Sequence, residues 1–198
     1  MKRIFPVLEY VNIPNLATSA GLLFGIAACY FIVLGSMRGA FLCVAFAMLM
    51  DLIDGFLADR LKQKTLFGQY LDSLVDFFIC CVMPMLLTLT FVGNSLWLVS
   101  AVAFSCVCGL WRLAHFNVTA AEKKPYFTGL PVPGGALLIS MAMWLTVHYD
   151  FPQWVSVAVS FVTGLLMISY FKLQKYGLWQ KMLWGIGMVF FVIILMSD

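Results

Sequence analysis

The chain has 198 residues, of which 63% are hydrophobic and 11% charged, and its formal net charge is +3. A soluble domain is roughly half apolar and about a quarter charged, and a soluble fold of this size cannot hide so much apolar surface. The composition therefore excludes an ordinary soluble domain, and so small a net charge, with no polar domain to carry a basic patch, gives no footing for a nucleic-acid partner.

The N-terminal Met1-Lys2-Arg3 is basic, but no small-residue cleavage site closes a short apolar stretch after it. The first hydrophobic segment is therefore expected to be a retained helix and not a signal peptide. A bilayer-spanning helix needs about 20 mostly apolar residues. Segments of that kind run near 15–34, 39–58, 69–91, 95–116, 129–148, 153–171 and 178–197. The last is the weakest, because its glycine and aromatic residues also suit the membrane interface. The expected fold is all-α, a polytopic membrane bundle of six or seven transmembrane helices forming one integral membrane domain over 1–198. Gly35–Arg38, Gly93–Ser95 and Tyr149–Pro152 read as tight turns, and longer connections cover 59–68, 117–128 and 172–181. The six cysteines all fall in apolar runs and read as small buried residues.

Charge placement sets an orientation. Lys2, Arg3, Arg60, Lys62, Lys64, Lys123, Lys124, Lys172, Lys175 and Lys181 all fall on one side if every segment crosses, whereas the other side keeps only Arg38. Positive residues collect in cytoplasmic loops, so the N-terminus and the long loops are expected to face the cytoplasm.

Five of the nine acidic residues lie between positions 51 and 76: Asp51, Asp54, Asp59, Asp72 and Asp76. Ionisable groups near membrane helices are costly and default to a functional role. Asp51 and Asp54 stand three apart, Asp72 and Asp76 four apart, so each pair shares a helix face. The pairs lie across the ends of the second and third helices and should meet near the cytoplasmic surface. Either protons or metal ions must neutralise four such carboxylates. All-oxygen ligands select hard cations, Mg²⁺ or Mn²⁺, and two of them about 3.5–4 Å apart are a recurrent device for phosphoryl displacement. Gly55 and Gly68, beside the carboxylates, would let a ligand or a second helix approach the backbone.

The run Asp51-Leu-Ile-Asp54-Gly55-Phe-Leu-Ala58, continued by Gly68-Gln-Tyr-Leu-Asp72-Ser-Leu-Val-Asp76, resembles the DxxDGxxAR and GxxxDxxxD motif of the CDP-alcohol phosphotransferase family. Arg112-Leu-Ala-His115-Phe-Asn117, followed by Gly129-Leu-Pro131, is similar to the RLARFN and GLP pattern of its phosphatidylserine synthase branch. The resemblance implies the family's helical fold and transfer of a phosphatidyl group from CDP-diacylglycerol to a small alcohol, L-serine in that branch, with release of CMP. Within the family, glycerol 3-phosphate or inositol phosphate are alternative acceptors; outside it, a divalent-cation or proton-coupled transporter is the competing reading of membrane carboxylates.

By the same resemblance two divalent cations, Mg²⁺ or Mn²⁺, would be held by Asp51, Asp54, Asp72 and Asp76, with Asp76 the base for the acceptor hydroxyl. Asn15, Thr18, Gly55, Ala58 and Gly68 would surround the CDP moiety, and Arg112, His115 and Asn117 the acceptor. Arg112 also reads as a cation snorkelling to the interface. The family is commonly homodimeric, and the expected location is a prokaryotic cytoplasmic membrane with the active site on its cytoplasmic face. Two positions depart from the pattern: Asp59 stands where the family has arginine, with Arg60 one place later, and His115 replaces the second arginine of RLARFN.

Overall fold

The computed structural model describes residues 5–119, 126–174 and 178–196. A short 3₁₀ turn, Pro6–Tyr10, leads into helices α1 (Ile13–Val33) and α2 (Met37–Arg60). The third hydrophobic segment is one continuous rod, α3 (Leu66–Asp76), a π-helical stretch (Phe77–Val82) and α4 (Met83–Phe91). Then come α5 (Leu96–Thr119), strand β1 (Tyr126–Thr128), α6 (Val132–His148), α7 (Gln153–Ile168), strand β2 (Lys172–Gln174) and α8 (Leu178–Met196). Every expected segment is a helix. Among the described residues four of them, Ile13–Val33, Met37–Arg60, Leu66–Phe91 and Leu96–Thr119, are long and apolar enough to cross a membrane. Lys2, Arg3, Lys123, Lys124 and Lys175, which entered the orientation argument, lie outside the described residues.

The helix starts are written locally. Asn12 accepts from the Asn15 amide at 2.8 Å, Ser36 from Gly39 at 3.3 Å and Thr65 from Gly68 at 3.0 Å, each satisfying an orphan donor of a first turn. Lipid tails are as apolar as leucine, so helices in a bilayer associate through close packing, not water exclusion. Accordingly α1 and α2 approach each other at small residues, Gly21 of α1 against Ala47 of α2 and Gly39 of α2 against Phe31 of α1, while Gly25 of α1 lies against Phe78 of the π stretch. A side chain at Gly21 would stand 3.3 Å from the Ala47 carbonyl. Near the start of α2 and the end of α6, away from the aspartates, Phe41 of α2, Trp144 of α6 and Phe190 of α8 meet edge to face.

Two features depart from the expected all-α pattern. The strands β1 and β2 pair antiparallel, Tyr126 opposite Gln174 and Thr128 opposite Lys172. The Gly129 amide continues this ribbon by donating to Phe171 at 2.8 Å, and Leu130 donates to Leu166 at 2.9 Å. The residues at 129–131 and 169–171 are thus spent on the ribbon, and α6 starts and α7 ends three residues inside the expected limits. The π stretch is the second departure. Pro84 has no amide hydrogen to give to the preceding turn, and the Met83 amide reaches back five residues to Phe78. One extra residue offsets the α4 face by about 100° from the count a uniform α-helix would give. Met83 and Leu87 are then fully buried in the bundle below Asp72 and Asp76.

Candidate active site

The carboxylates converge across two helices. Ligand oxygens of Asp51 on α2 and of Asp72 and Asp76 on α3 all lie within 4.8 Å of one another. Asp54, one turn further along α2, is 5% exposed and accepts a hydrogen bond from the Thr18 hydroxyl of α1. Three carboxylates thus share one volume, and the fourth is held at its edge by a neutral donor.

The helix ends around them are joined by polar contacts. Asn15 is buried and donates through Nδ2 to the Tyr10 carbonyl at 2.8 Å. Its Oδ1 faces Gly68, where an added Cβ would stand 2.7 Å away. Gly68 therefore serves the close approach of α1 and α3. Gly55 differs: it is exposed, and an added Cβ would meet nothing within 4 Å. With Asp51 and half-buried Ala58 it follows a spacing of four and seven residues, so the three share one face of α2. That face is open beside the carboxylates.

The three residues expected around the acceptor are placed differently from one another. Arg112 is 6% exposed and its Nε has no hydrogen-bond partner among the described residues. His115 is exposed. The Asn117 side-chain oxygen accepts from Gln69 Nε2 at 3.0 Å and from Ser73 Oγ at 3.1 Å, which ties α5 to α3. Gln69 and Ser73 escaped the sequence reading, although they stand four apart beside Asp72 and Asp76. At the departure from the family pattern, Asp59 pairs with Lys64, and the Arg60 guanidinium lies 5.8 Å from the Phe56 ring centre.

Known proteins sharpen this picture. The family model for CDP-alcohol phosphatidyltransferase matches residues 11–168. The chain belongs to that family. Among its relatives is the CDP-diacylglycerol–serine O-phosphatidyltransferase of Methanocaldococcus jannaschii, 32% identical over 176 residues, covering 89% of this chain and 77% of that protein. The enzyme of the same name from Helicobacter pylori is 26% identical over 199 residues, covering 97% and 83%. The archaetidylserine synthase of Methanothermobacter thermautotrophicus is 29% identical over 166 residues, covering 82% and 70%. The chain is thus an integral membrane enzyme of the CDP-alcohol phosphatidyltransferase type, and the transporter reading falls away.

The site suits the divalent cations of such an enzyme. Carboxylates whose oxygens come within 4.8 Å of one another repel unless positive charge or protons stand between them. An oxygen-only set of this kind is matched by a hard cation.

Proposed function

We propose that this chain transfers the phosphatidyl group of CDP-diacylglycerol to the hydroxyl of L-serine, giving phosphatidylserine and CMP. The observation that carries it is the convergence of Asp51, Asp72 and Asp76 at the ends of α2 and α3 within the family's aspartate motif. In this reading these three and Asp54 hold two Mg²⁺ or Mn²⁺ ions. When bound, the cations neutralise the pyrophosphate and the departing CMP.

The protein's own groups do the rest. The exposed α2 face of Gly55 and Ala58 admits the nucleotide, with Asn15 and Gly68 closing its far side. Asp76 takes the serine hydroxyl proton as the oxygen attacks the phosphorus bonded to the lipid; the bond from that phosphorus to the CMP oxygen breaks. A carboxylate is a weak base for an alcohol, so positioning and local charge must supply most of the rate. Arg112 takes the acceptor carboxylate. A buried guanidinium whose Nε lacks a partner among the described residues carries an unmet desolvation cost, and a planar carboxylate matches its fork of donors. The names of the relatives share serine and differ in the lipid, which favours serine over phosphorylated acceptors. The active site then faces the cytoplasm of a prokaryotic cell.

The test is CMP release by the purified protein with CDP-diacylglycerol and, in turn, serine, glycerol 3-phosphate and inositol phosphate. Turnover with serine alone is expected. It should vanish in EDTA and return with Mg²⁺ or Mn²⁺. Turnover with a phosphorylated acceptor and none with serine would replace serine in this reading, and full activity after metal removal would end the metal assignment.

A further inference from the structure

The start of α3 has a problem that its own residues do not solve. Leu66, Tyr70 and Leu74 are 73%, 57% and 70% exposed, so one whole side of this end of the helix has little protein packed against it. Yet the same end must aim Asp72 and Asp76 at Asp51. Each helical residue advances about 100°, so, measured from Gln69, Ser73 stands near +40°, Asp76 near −20° and Asp72 near −60°. The four residues occupy one sector of roughly 100°. The Asn117 oxygen of α5 holds two of them, Gln69 at 3.0 Å and Ser73 at 3.1 Å.

We propose that Asn117 is a positioning residue: its grip on Gln69 and Ser73 sets the rotation of α3 about its axis and so the aim of Asp72 and Asp76. The inference rests on the reading of the carboxylates as a metal centre. An amide oxygen has two lone pairs, and the two donors from α3 fill both, so this oxygen has no capacity left for an acceptor molecule. The lever is long. Carboxylate oxygens lie roughly 6 Å from a helix axis, and a rotation of about 20° would carry them about 2 Å. Metal ligands tolerate about 0.2 Å. A directional polar bond between helices controls rotation better than an apolar contact, which slides.

The test is Mn²⁺ binding to the full-length purified protein, followed by electron paramagnetic resonance titration, with steady-state kinetics alongside. Asn117→Leu keeps the bulk and removes the acceptor. It should weaken Mn²⁺ binding by roughly ten-fold or more, as loss of a ligand-orienting partner does. It should lower kcat while leaving the serine KM within about two-fold. Ser73→Ala should act in the same direction, and the double variant should fall short of the sum of the single effects, because both remove one contact. Asn117→Asp, which retains an accepting oxygen, should recover much of the Mn²⁺ affinity. Unchanged Mn²⁺ affinity with a raised serine KM in Asn117→Leu would make the residue an acceptor ligand and overturn the proposal, as would strictly additive effects. If Asn117→Leu does not fold, Ser73→Ala decides alone, and normal Mn²⁺ affinity in it refutes the grip. The titration needs no turnover: a protein that loses Mn²⁺ as described but releases no CMP with any acceptor would end the transferase reading and leave the role of Asn117 standing.

Discussion

Asp54 and Asp76 belong to one motif but live in different surroundings. Asp54 accepts a hydrogen bond from Thr18, whereas Asp76 stands in the open triangle with Asp51 and Asp72. In the proposed reaction that difference separates a carboxylate held by a hydroxyl from the one that takes the proton of the acceptor. Asp76→Asn keeps the size and removes the basic charge; turnover should drop by the roughly 10²–10⁴-fold typical of a lost general base, with donor KM little altered. Initial rates of CMP release check this, and near-normal turnover would withdraw the base assignment. Arg112 calls for the opposite pattern. Arg112→Ala should act mainly through a raised serine KM, on the order of ten-fold or more for a lost charge-assisted hydrogen bond of about 1.5–3 kcal/mol. An unaltered KM would leave Arg112 a structural cation.

At the scale of elements, the site is a meeting of helix ends and not of whole helices. Gly68 sits against the Asn15 side chain where α1 and α3 touch, and Thr65, three residues earlier, caps the same turn. Gly68→Ala would place a methyl group 2.7 Å from Asn15 Oδ1, so α1 and α3 must part or Asn15 must give up its place. Overpacking of this kind costs about 1–3 kcal/mol. Thermal unfolding in detergent should move several degrees down and activity should fall with it. Gly55→Ala, into open space, should leave the unfolding temperature unchanged and tax only nucleotide binding, read as a raised CDP-diacylglycerol KM. Equal stability losses in both would contradict the division of labour drawn between the two glycines.

Over the whole molecule, the acids, Arg60 in the last turn of α2 and the loop residues Lys62 and Lys64 crowd the same end of α2 and α3. A cysteine introduced at Lys64, which lies in an exposed turn, should react with impermeant thiol reagents only from the cytoplasmic face. Reaction from the outside of intact cells would reverse the orientation and move the active site with it. The two-stranded ribbon adds a link on the chain between α5 and α6 and between α7 and α8, with Lys172 4.9 Å from the Tyr126 ring centre. It is the part of the fold that apolar periodicity could not announce, since six residues pairing across about 45 positions leave no local repeat.

The residues by themselves determined that this chain lives in a bilayer, where its helices lie and that aspartates of α2 and α3 come together. Those facts are written in runs of apolar residues, in caps such as Asn12, Ser36 and Thr65, and in the i, i+3 and i, i+4 spacings of the acids, all of which are properties of one helix. What the tertiary structure decided is how one helix faces another. The division between Asp54, bound to Thr18, and the triangle of Asp51, Asp72 and Asp76 could not be read from spacing alone, and neither could the hold of Asn117 on Gln69 and Ser73. The ion pair between Asp59 and Lys64 belongs with these. Spacing sets the angle between side chains on one helix; the depth and rotation of that helix against its neighbours come from close packing at small residues such as Gly21 and Gly68, the π stretch before Pro84 and a few directional polar bonds.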